Sequence, residues 1–185
     1  MSDLSKFIVF DREGDGLDPT KIHCLSIAYF VNGELVVKST TSYKTMRKIL
    51  TKEDGIYVGH NIINWDIPAA VEKILGITIN GKCIDTLYLS WYLYPDMRKH
   101  GLEGWGEFFG IQKPKISDWS SLSTAEYIHR CEEDVKINIR LWVKQYKYLL
   151  KLYKTKEEAW RFIDYLMFKA ECVTSQLKSR WKLDV

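Results

Sequence analysis

The sequence predicts an α/β domain in which helices flank a mixed β-sheet. Two observations carry this prediction. Short apolar runs separated by turn residues fill the first 60 residues, and segments with helical spacing dominate the remainder. Short apolar runs bounded by Gly, Asn and Asp are typical of strands, whereas apolar steps of three and four are typical of amphipathic helices. A hairpin followed by alternating strands and helices indicates antiparallel and parallel neighbours within one sheet.

The strands are predicted mainly in the first half of the chain. The first is the apolar run that begins at Lys6 and ends at Asp11, just before the turn Gly14-Asp15-Gly16. Two others flank Asn32-Gly33, a dipeptide typical of two-residue hairpin turns. The predicted strands are 6–11, 22–31, 34–41, 56–59 and 83–84.

Most of the predicted helices have recognisable ends. Gly76 and Gly110 follow two of them, and Pro68 fits the first turn of the second helix, where a missing N–H costs nothing. A loop is expected at 114–121. The predicted helices are 42–52, 66–75, 85–94, 102–109, one beginning near 123, and 157–178.

The helix that begins near Ser123 carries the clearest signals. Ser123-Thr124-Ala125-Glu126 has the capping-box pattern, in which the Ser and Glu side chains satisfy each other's backbone N–H groups. Apolar residues then form one face over about seven turns. They are Ile128, Cys131, Val135, Ile139, Trp142, Tyr146 and Leu149.

Composition limits the classes of protein to which this chain can belong. A chain of 185 residues with 46% apolar residues can build one packed domain, and its net charge of +3 suits an anionic partner without requiring one. The four cysteines include no Cys-x-x-Cys pair, which argues for a reducing compartment. The sequence has no signal-peptide pattern and no apolar run near the ~20 residues of a membrane span. A soluble, cytoplasmic protein without a membrane partner is therefore expected.

Two acidic residues at the end of the first strand point to a metal. Asp11 and Glu13 are two positions apart, so their side chains share one face of the strand. Adjacent carboxylates repel each other, and a divalent ion between them would remove that repulsion. The alternative is a strand whose last residues are simply polar.

Two further acids can complete such a site. Asp66 precedes a predicted helix, where a carboxylate interacts favourably with the helix dipole even without a metal. Asp134 lies beside the apolar face of the long helix, where a Lys or Arg partner or solvent is the alternative explanation. If all four acids converge, their oxygen atoms suit two Mg²⁺ or Mn²⁺ ions, a pair that can catalyse phosphodiester hydrolysis.

The ordered motifs resemble those of a known superfamily. Phe10–Leu17, His60-Asn61 with Asp66–Ala69, and Glu132–Val135 resemble the three motifs of the DEDD superfamily of 3′–5′ exonucleases. The segments 83–87 and 100–106 are similar to the proofreading domain of family A DNA polymerases from podophages. This resemblance covers residues 6–142 and implies a ribonuclease-H-like fold.

The resemblance also implies roles for individual residues. Two divalent ions, Mg²⁺ or Mn²⁺, would be held by Asp11, Glu13, Asp66 and Asp134. Hydrolysis would release nucleoside monophosphates from a single-stranded or frayed DNA 3′ end. Glu13 and the Gly14 backbone would also hold the terminal nucleotide, Leu17 would pack against its base, and Asn61 would line the path of the strand. Asp85 would lie beside this site, although capping the helix that follows it is the preferred explanation.

Two departures from the family pattern concern arginines. The family places a Tyr four residues before the last acid, or a His five before it, to orient the attacking water; here these are Arg130 and His129. In a continuous helix Arg130 shares the face of Asp134, whereas His129 is rotated away by roughly 140°. His129 meets the His pattern of the family and stays a catalytic candidate, but it can orient the water only if the helix begins late or bends there. Arg130 is then expected to pair with Asp134 or to contact a substrate phosphate. Arg12 lies between the first two acids and needs a partner that the sequence does not identify.

The C-terminal part suggests a polymerase context. Residues 170–176 and 181–184 are similar to the segment that joins exonuclease and polymerase domains. We therefore expect an exonuclease domain at 1–150 and a C-terminal helical segment at 151–185. The expected partner is a fused polymerase domain or a separate polymerase subunit, in the host cytoplasm if a phage encodes the chain. The alternatives are an exoribonuclease of the same superfamily and a catalytically weak nucleic-acid-binding or polymerase-docking module.

Overall fold

The fold is a five-stranded mixed sheet with helices packed against it. The computed structural model describes residues 4–111 and 122–179. The strand order is β3-β2-β1-β4-β5; β1 pairs with β2 and β2 with β3 antiparallel, whereas β1–β4 and β4–β5 are parallel. The strands are β1 (Phe7–Gly14), β2 (Ile22–Val31), β3 (Glu34–Thr40), β4 (Ile56–Gly59) and β5 (Lys82–Asp85). The predicted α/β class and mixed sheet are confirmed.

The helices follow the predicted order. A short 3₁₀ turn, Leu4–Lys6, precedes β1. The helices are α1 (Tyr43–Leu50), the π-helix (Ile62–Glu72), α2 (Thr86–Leu93), α3 (Leu102–Phe109), α4 (Thr124–Leu152) and α5 (Lys156–Ser179). In the described ranges, no helix is long and apolar enough to cross a membrane. The loop predicted at 114–121 and the motif at 181–184 lie outside the described residues.

The β2–β3 hairpin has the predicted turn. Asn32 and Gly33 have φ angles of 52° and 87°, as a two-residue hairpin turn requires. We expect Gly33→Ala to lower the free energy of unfolding by about 1–2 kcal/mol, because a Cβ is disfavoured at positive φ. Urea denaturation measures this loss. Glu34→Ala, at the exposed start of β3, is the control and should change stability by less than about 0.5 kcal/mol; equal losses in both variants would contradict the turn argument.

Strand β1 continues three residues beyond its predicted end. Asp11, Arg12 and Glu13 pair with Ser26, Leu25 and Cys24 of β2, and the register shifts only between Glu13 and Gly14. The acids therefore lie within the sheet, because strand pairing fixes their backbone. This pairing gives the metal-ligand candidates a rigid base.

The helix after β4 differs most from the prediction. It begins at Ile62 rather than Asp66, ends at Glu72, and has π geometry with Pro68 in its interior. The predictions that Pro68 lies in the first turn and that Asp66 starts the helix were therefore wrong. The physical reason is a tertiary cap: the Asp85 carboxylate accepts hydrogen bonds from the N–H groups of Asn61 (2.8 Å) and Ile63 (3.1 Å). A carboxylate from another strand thus satisfies this helix start, and the local sequence carries no sign of it.

The long helix α4 packs its predicted apolar face on the sheet. Its capping box at Ser123 and Glu126 is present, which confirms the predicted start. Trp142 is fully buried and its ring lies 4.9 Å from that of Phe7 on β1. Buried residues of α5, such as Ile163, belong to the same hydrophobic cluster. The domain boundary near residue 150 stays a prediction.

Candidate active site and metal centre

One cavity brings together all the sequence-predicted site residues except His129. It has a volume of about 450 Å³ and lies where β1 ends between the π-helix and α4. A second cavity of about 440 Å³, between the π-helix and α5, contains none of the predicted site residues. The residues that line the first cavity are Asp11, Arg12, Glu13, Gly14, Asp15, Gly16, Leu17, His60, Asn61, Trp65, Asp66, Arg130 and Asp134.

Three of the predicted acids form a cluster in this cavity. Asp11, Glu13 and Asp134 each offer a carboxylate oxygen, and these oxygen atoms all lie within 4.8 Å of one another. Glu13 and Asp134 are buried, and Asp11 is half-buried. The set combines two neighbours on β1 with one residue of α4. Three clustered carboxylates suit a divalent ion that prefers oxygen ligands, such as Mg²⁺ or Mn²⁺.

The fourth predicted acid has a different neighbour. Asp66 lines the same cavity but does not belong to the three-carboxylate cluster. Its Oδ1 atom lies 2.8 Å from Nε of Arg12, and both residues are buried, at 5% and 7% exposure. Arg12 thus has the partner that the sequence did not identify. Burial raises the pKa of Asp66 to about 6 and the positive charge of Arg12 opposes this, so the carboxyl is largely ionised at neutral pH.

The second arginine of the site faces the cluster. Nε of Arg130 lies 3.0 Å from Oε1 of Glu13, and Arg130 lines the cavity one turn before Asp134. His129 is exposed and is not among the residues that line the cavity. Helix α4 is continuous from Thr124, so the helical spacing separates the two side chains as expected. The structure does not bring His129 to the acids.

A network behind the cavity fixes the start of the π-helix. Asp85 caps α2 through Leu87 N–H (3.0 Å) and also holds the backbone at Asn61 and Ile63. Its role as a helix cap, preferred from the sequence, is confirmed. Burial raises the pKa of Asp85 to about 6, whereas these N–H groups lower it. Asn61 has a φ of 64°, so this network stabilises an uncommon backbone conformation directly beside the site.

Sequence reasoning missed a second set of supporting side chains. Nδ1 of His60 lies 2.9 Å from Oγ1 of Thr86, and this hydroxyl donates to Oδ1 of Asn138 at 2.7 Å. Asn138 is one turn after Asp134 on the buried face of α4. That spacing was the available signal, because a polar residue at i+4 from a buried acid shares its side of the helix. Together these contacts join the residue that follows β4 to α2 and α4.

A cysteine orients the first acid. The Cys131 thiol donates to the backbone oxygen of Asp11 at 3.2 Å and lies 3.5 Å from its Oδ2. Cys131 is fully buried, and burial raises the pKa of its thiol well above the ordinary value. The thiol therefore stays protonated and can act as a donor.

The loop after β1 forms one wall of the cavity. Asp15 accepts hydrogen bonds from Thr20 N–H at 2.8 Å and Thr20 Oγ1 at 2.6 Å, which close this loop on itself. Leu17 is 85% exposed in the loop. Gly14, Leu17 and Asn61, to which the resemblance assigns roles in substrate binding, all line the cavity, and those roles stay a prediction. An exposed leucine that lines this cavity is available to pack against the face of a base.

Comparisons with known proteins identify the fold. No protein-family model matches the chain. A DNA polymerase III of the PolC type from Caldanaerobacter subterraneus subsp. tengcongensis is 24% identical in an alignment 172 positions long, which covers 75% of this chain but only 11% of that protein. The chain therefore spans about a tenth of the length of this curated relative.

Solved structures of nucleases superimpose over most of the chain. A nuclease in its apo form matches with a TM-score of 0.66 at 18% identity, covering 100% of this chain and 91% of that one. Brucella melitensis NrnC with bound Mg²⁺ matches with a TM-score of 0.64 at 19% identity, covering 97% and 90%. Exonuclease X in complex with 5′-overhanging duplex DNA matches with a TM-score of 0.51 at 14% identity, covering 75% and 92%. These matches confirm the ribonuclease-H-like fold.

Proposed function

We propose that this chain is a metal-dependent 3′–5′ exonuclease that removes nucleoside monophosphates from DNA 3′ ends. The observation that carries the proposal is the cluster of Asp11, Glu13 and Asp134 in a cavity that also contains Asp66. Carboxylate oxygens that lie within 4.8 Å of one another repel each other unless cations lie beside them, and we take this cluster as support for metal binding. The structural similarity to solved nucleases supports the interpretation of this cavity as a nuclease active site.

Different residues of the cavity would have different roles in the proposed reaction. Asp11, Glu13 and Asp134 would hold a divalent ion, which supplies Lewis-acid activation of water and of the phosphodiester. Arg130 lies beside this cluster and can donate to a phosphate oxygen, because its guanidinium has several N–H groups in a fixed fork. Leu17 would stack on the terminal base.

The substrate pocket suits a single terminal nucleotide. Gly14 brings the backbone close to the cavity, and a Cβ there would lie 2.6 Å from Nη1 of Arg12. Asn61 also lines the cavity, and we propose that it lies along the path of the strand. A volume of about 450 Å³ fits one nucleotide rather than a duplex end. We propose release of one nucleotide at a time, which is compatible with this size.

We further propose a proofreading role beside a DNA polymerase. The motifs at 83–87 and 100–106 and the similarity to part of a PolC-type polymerase support it. The polymerase would be a fused domain or a separate subunit. The competing functions are a stand-alone exoribonuclease and a weakly catalytic binding module. Of these two, the arginines that pair with Asp66 and Glu13 favour the binding module.

The test is digestion of 5′-labelled single-stranded DNA with Mg²⁺ or Mn²⁺. We expect products that shorten by one nucleotide, release of nucleoside monophosphates, and complete inhibition by EDTA. A DNA with a 3′-terminal phosphate and an RNA of the same sequence serve as matched substrates. Degradation of RNA but not DNA would favour the exoribonuclease, since the 2′-OH distinguishes the two. Binding without cleavage of either would favour the binding module.

A further inference from the structure

The cavity carries two fixed positive charges as well as its acids. Arg12 contacts Asp66, and Arg130 contacts Glu13. The two pairs differ in their surroundings: the Arg12 and Asp66 side chains are 4% and 7% exposed, whereas those of Arg130 and Glu13 are 17% and 11% exposed. Arg12 is thus the more deeply buried cation of the site. Its partner, Asp66, is the acid outside the three-carboxylate cluster.

We propose that the Arg12 guanidinium takes the place of a second divalent cation at Asp66, so that this site binds one divalent ion instead of two. The single ion would bind at Asp11, Glu13 and Asp134. This inference rests on the proposed function only in requiring that these three carboxylates bind a metal. It departs from the two-ion site that the sequence motifs imply.

Charge balance supports this substitution. A buried carboxylate needs a cation or a set of hydrogen bonds, and Asp66 already has a cation 2.8 Å away. A guanidinium stays protonated at every physiological pH, so this charge is permanent. A second divalent ion at Asp66 would have to share the carboxylate with Arg12, and the two cations would repel each other at close range.

The packing keeps Arg12 at this position. Its backbone pairs with Leu25 in the middle of the sheet, so the strand cannot turn it outward without breaking β1–β2 pairing. Its Nη1 atom passes over Gly14, where even a methyl group would lie only 2.6 Å away. Its Nη2 atom is buried and has no hydrogen-bond partner among the described residues. The arginine is therefore enclosed beneath the loop after β1 and is not a surface side chain that an arriving ion displaces easily.

The gap left by removing Arg12 would lie directly beside Asp66. Arg12→Leu would leave a buried carboxylate without its cation, and a divalent ion is then the cation available to it. The same variant should be less stable than the wild type in EDTA. It should gain more stability from Mn²⁺ than the wild type does, because an ion that binds only the folded state raises its melting temperature.

The experiment counts Mn²⁺ ions per chain. Purified protein is titrated with Mn²⁺ while free ion is measured by electron paramagnetic resonance, with and without thymidine 5′-monophosphate. The wild type should bind one ion in both conditions, and Arg12→Leu should bind two with the nucleotide present. Arg12→Leu/Asp66→Asn should return to one ion and lose the additional thermal shift. Lys82→Gln, which removes a cation from the exposed pair with Asp164, should behave as the wild type.

Several results would overturn the inference. Two ions in the wild type would contradict it, as would a single ion in a folded Arg12→Leu protein. If Arg12→Leu does not fold, Arg12→Gln replaces it in the experiment, because Gln keeps an N–H donor toward Asp66 without the charge. The Arg12→Gln variant should also bind two ions. The count is separate from nuclease activity. Intact DNA with one bound Mn²⁺ would refute the proposed function alone, whereas no bound Mn²⁺ at all would refute the metal centre itself.

Discussion

Replacing Asp134 by Asn should slow release of the 3′-terminal nucleotide roughly a thousandfold. A metal ion contributes several kcal/mol to transition-state stabilisation, and each 1.36 kcal/mol is a factor of ten in rate. Asp134 is one of three carboxylates that cluster in the cavity, and Asn offers only a neutral oxygen. Single-turnover digestion of labelled DNA measures the rate, and a Mn²⁺ titration should show weaker binding.

The stability of the same variant separates a catalytic role from a structural one. Removing one of three adjacent negative charges relieves repulsion, so the melting temperature in EDTA should stay equal or rise. Glu133→Gln is the matched control, because Glu133 immediately precedes Asp134 on α4, pairs with Lys136 and does not line the cavity. It should keep activity within about twofold. Full activity in Asp134→Asn, or an equal loss in Glu133→Gln, would count against the proposed site.

Replacing Asp85 by Ala should lower the free energy of unfolding by about 3 kcal/mol. An N-cap contributes about 1 kcal/mol, and each buried N–H left without a partner costs about 1–3 kcal/mol. Asp85 is fully buried and accepts from Leu87, Asn61 and Ile63. Urea denaturation in EDTA measures the loss, and activity should also fall because the π-helix that carries Asp66 starts at this network.

An ordinary, solvent-exposed helix cap is the control for the loss of stability in Asp85→Ala. Ser42 caps α1 with one long hydrogen bond to Thr45 N–H, at 3.4 Å and exposed to solvent. Ser42→Ala should therefore cost no more than about 1 kcal/mol. Asp85→Asn keeps one acceptor oxygen and should fall between the two. If Asp85→Ala were no worse than Ser42→Ala, the buried network could not be what fixes the start of the π-helix.

The elements that the sequence predicted well are those with local causes. The Asn32-Gly33 turn and the capping box at Ser123 are satisfied by residues within a few positions, and both are present. The i, i+4 relation of Arg130 and Asp134 follows from helix geometry alone, and it correctly separated Arg130 from the exposed His129. The cluster of Asp11 and Glu13 follows in the same way from the two-residue period of a strand.

The elements that the sequence did not predict depend on distant partners. The partner of Arg12 is Asp66, which only the parallel pairing of β1 and β4 brings near. The start of the π-helix depends on Asp85, which lies two strands away from Asp11 in the sheet. No local pattern marks either contact, because both arise when the sheet assembles. The same assembly determines which acids join the metal cluster and which acid an arginine neutralises.

The central claim is tested most directly by a crystal structure of the protein soaked with Mn²⁺ and thymidine 5′-monophosphate. Anomalous scattering locates Mn²⁺ independently of the protein atoms. We predict a peak within about 2.0–2.3 Å of oxygen atoms of Asp11, Glu13 and Asp134, with the nucleotide phosphate beside it and the base near Leu17. No peak at these carboxylates, or a nucleotide bound elsewhere on the molecule, would contradict the account.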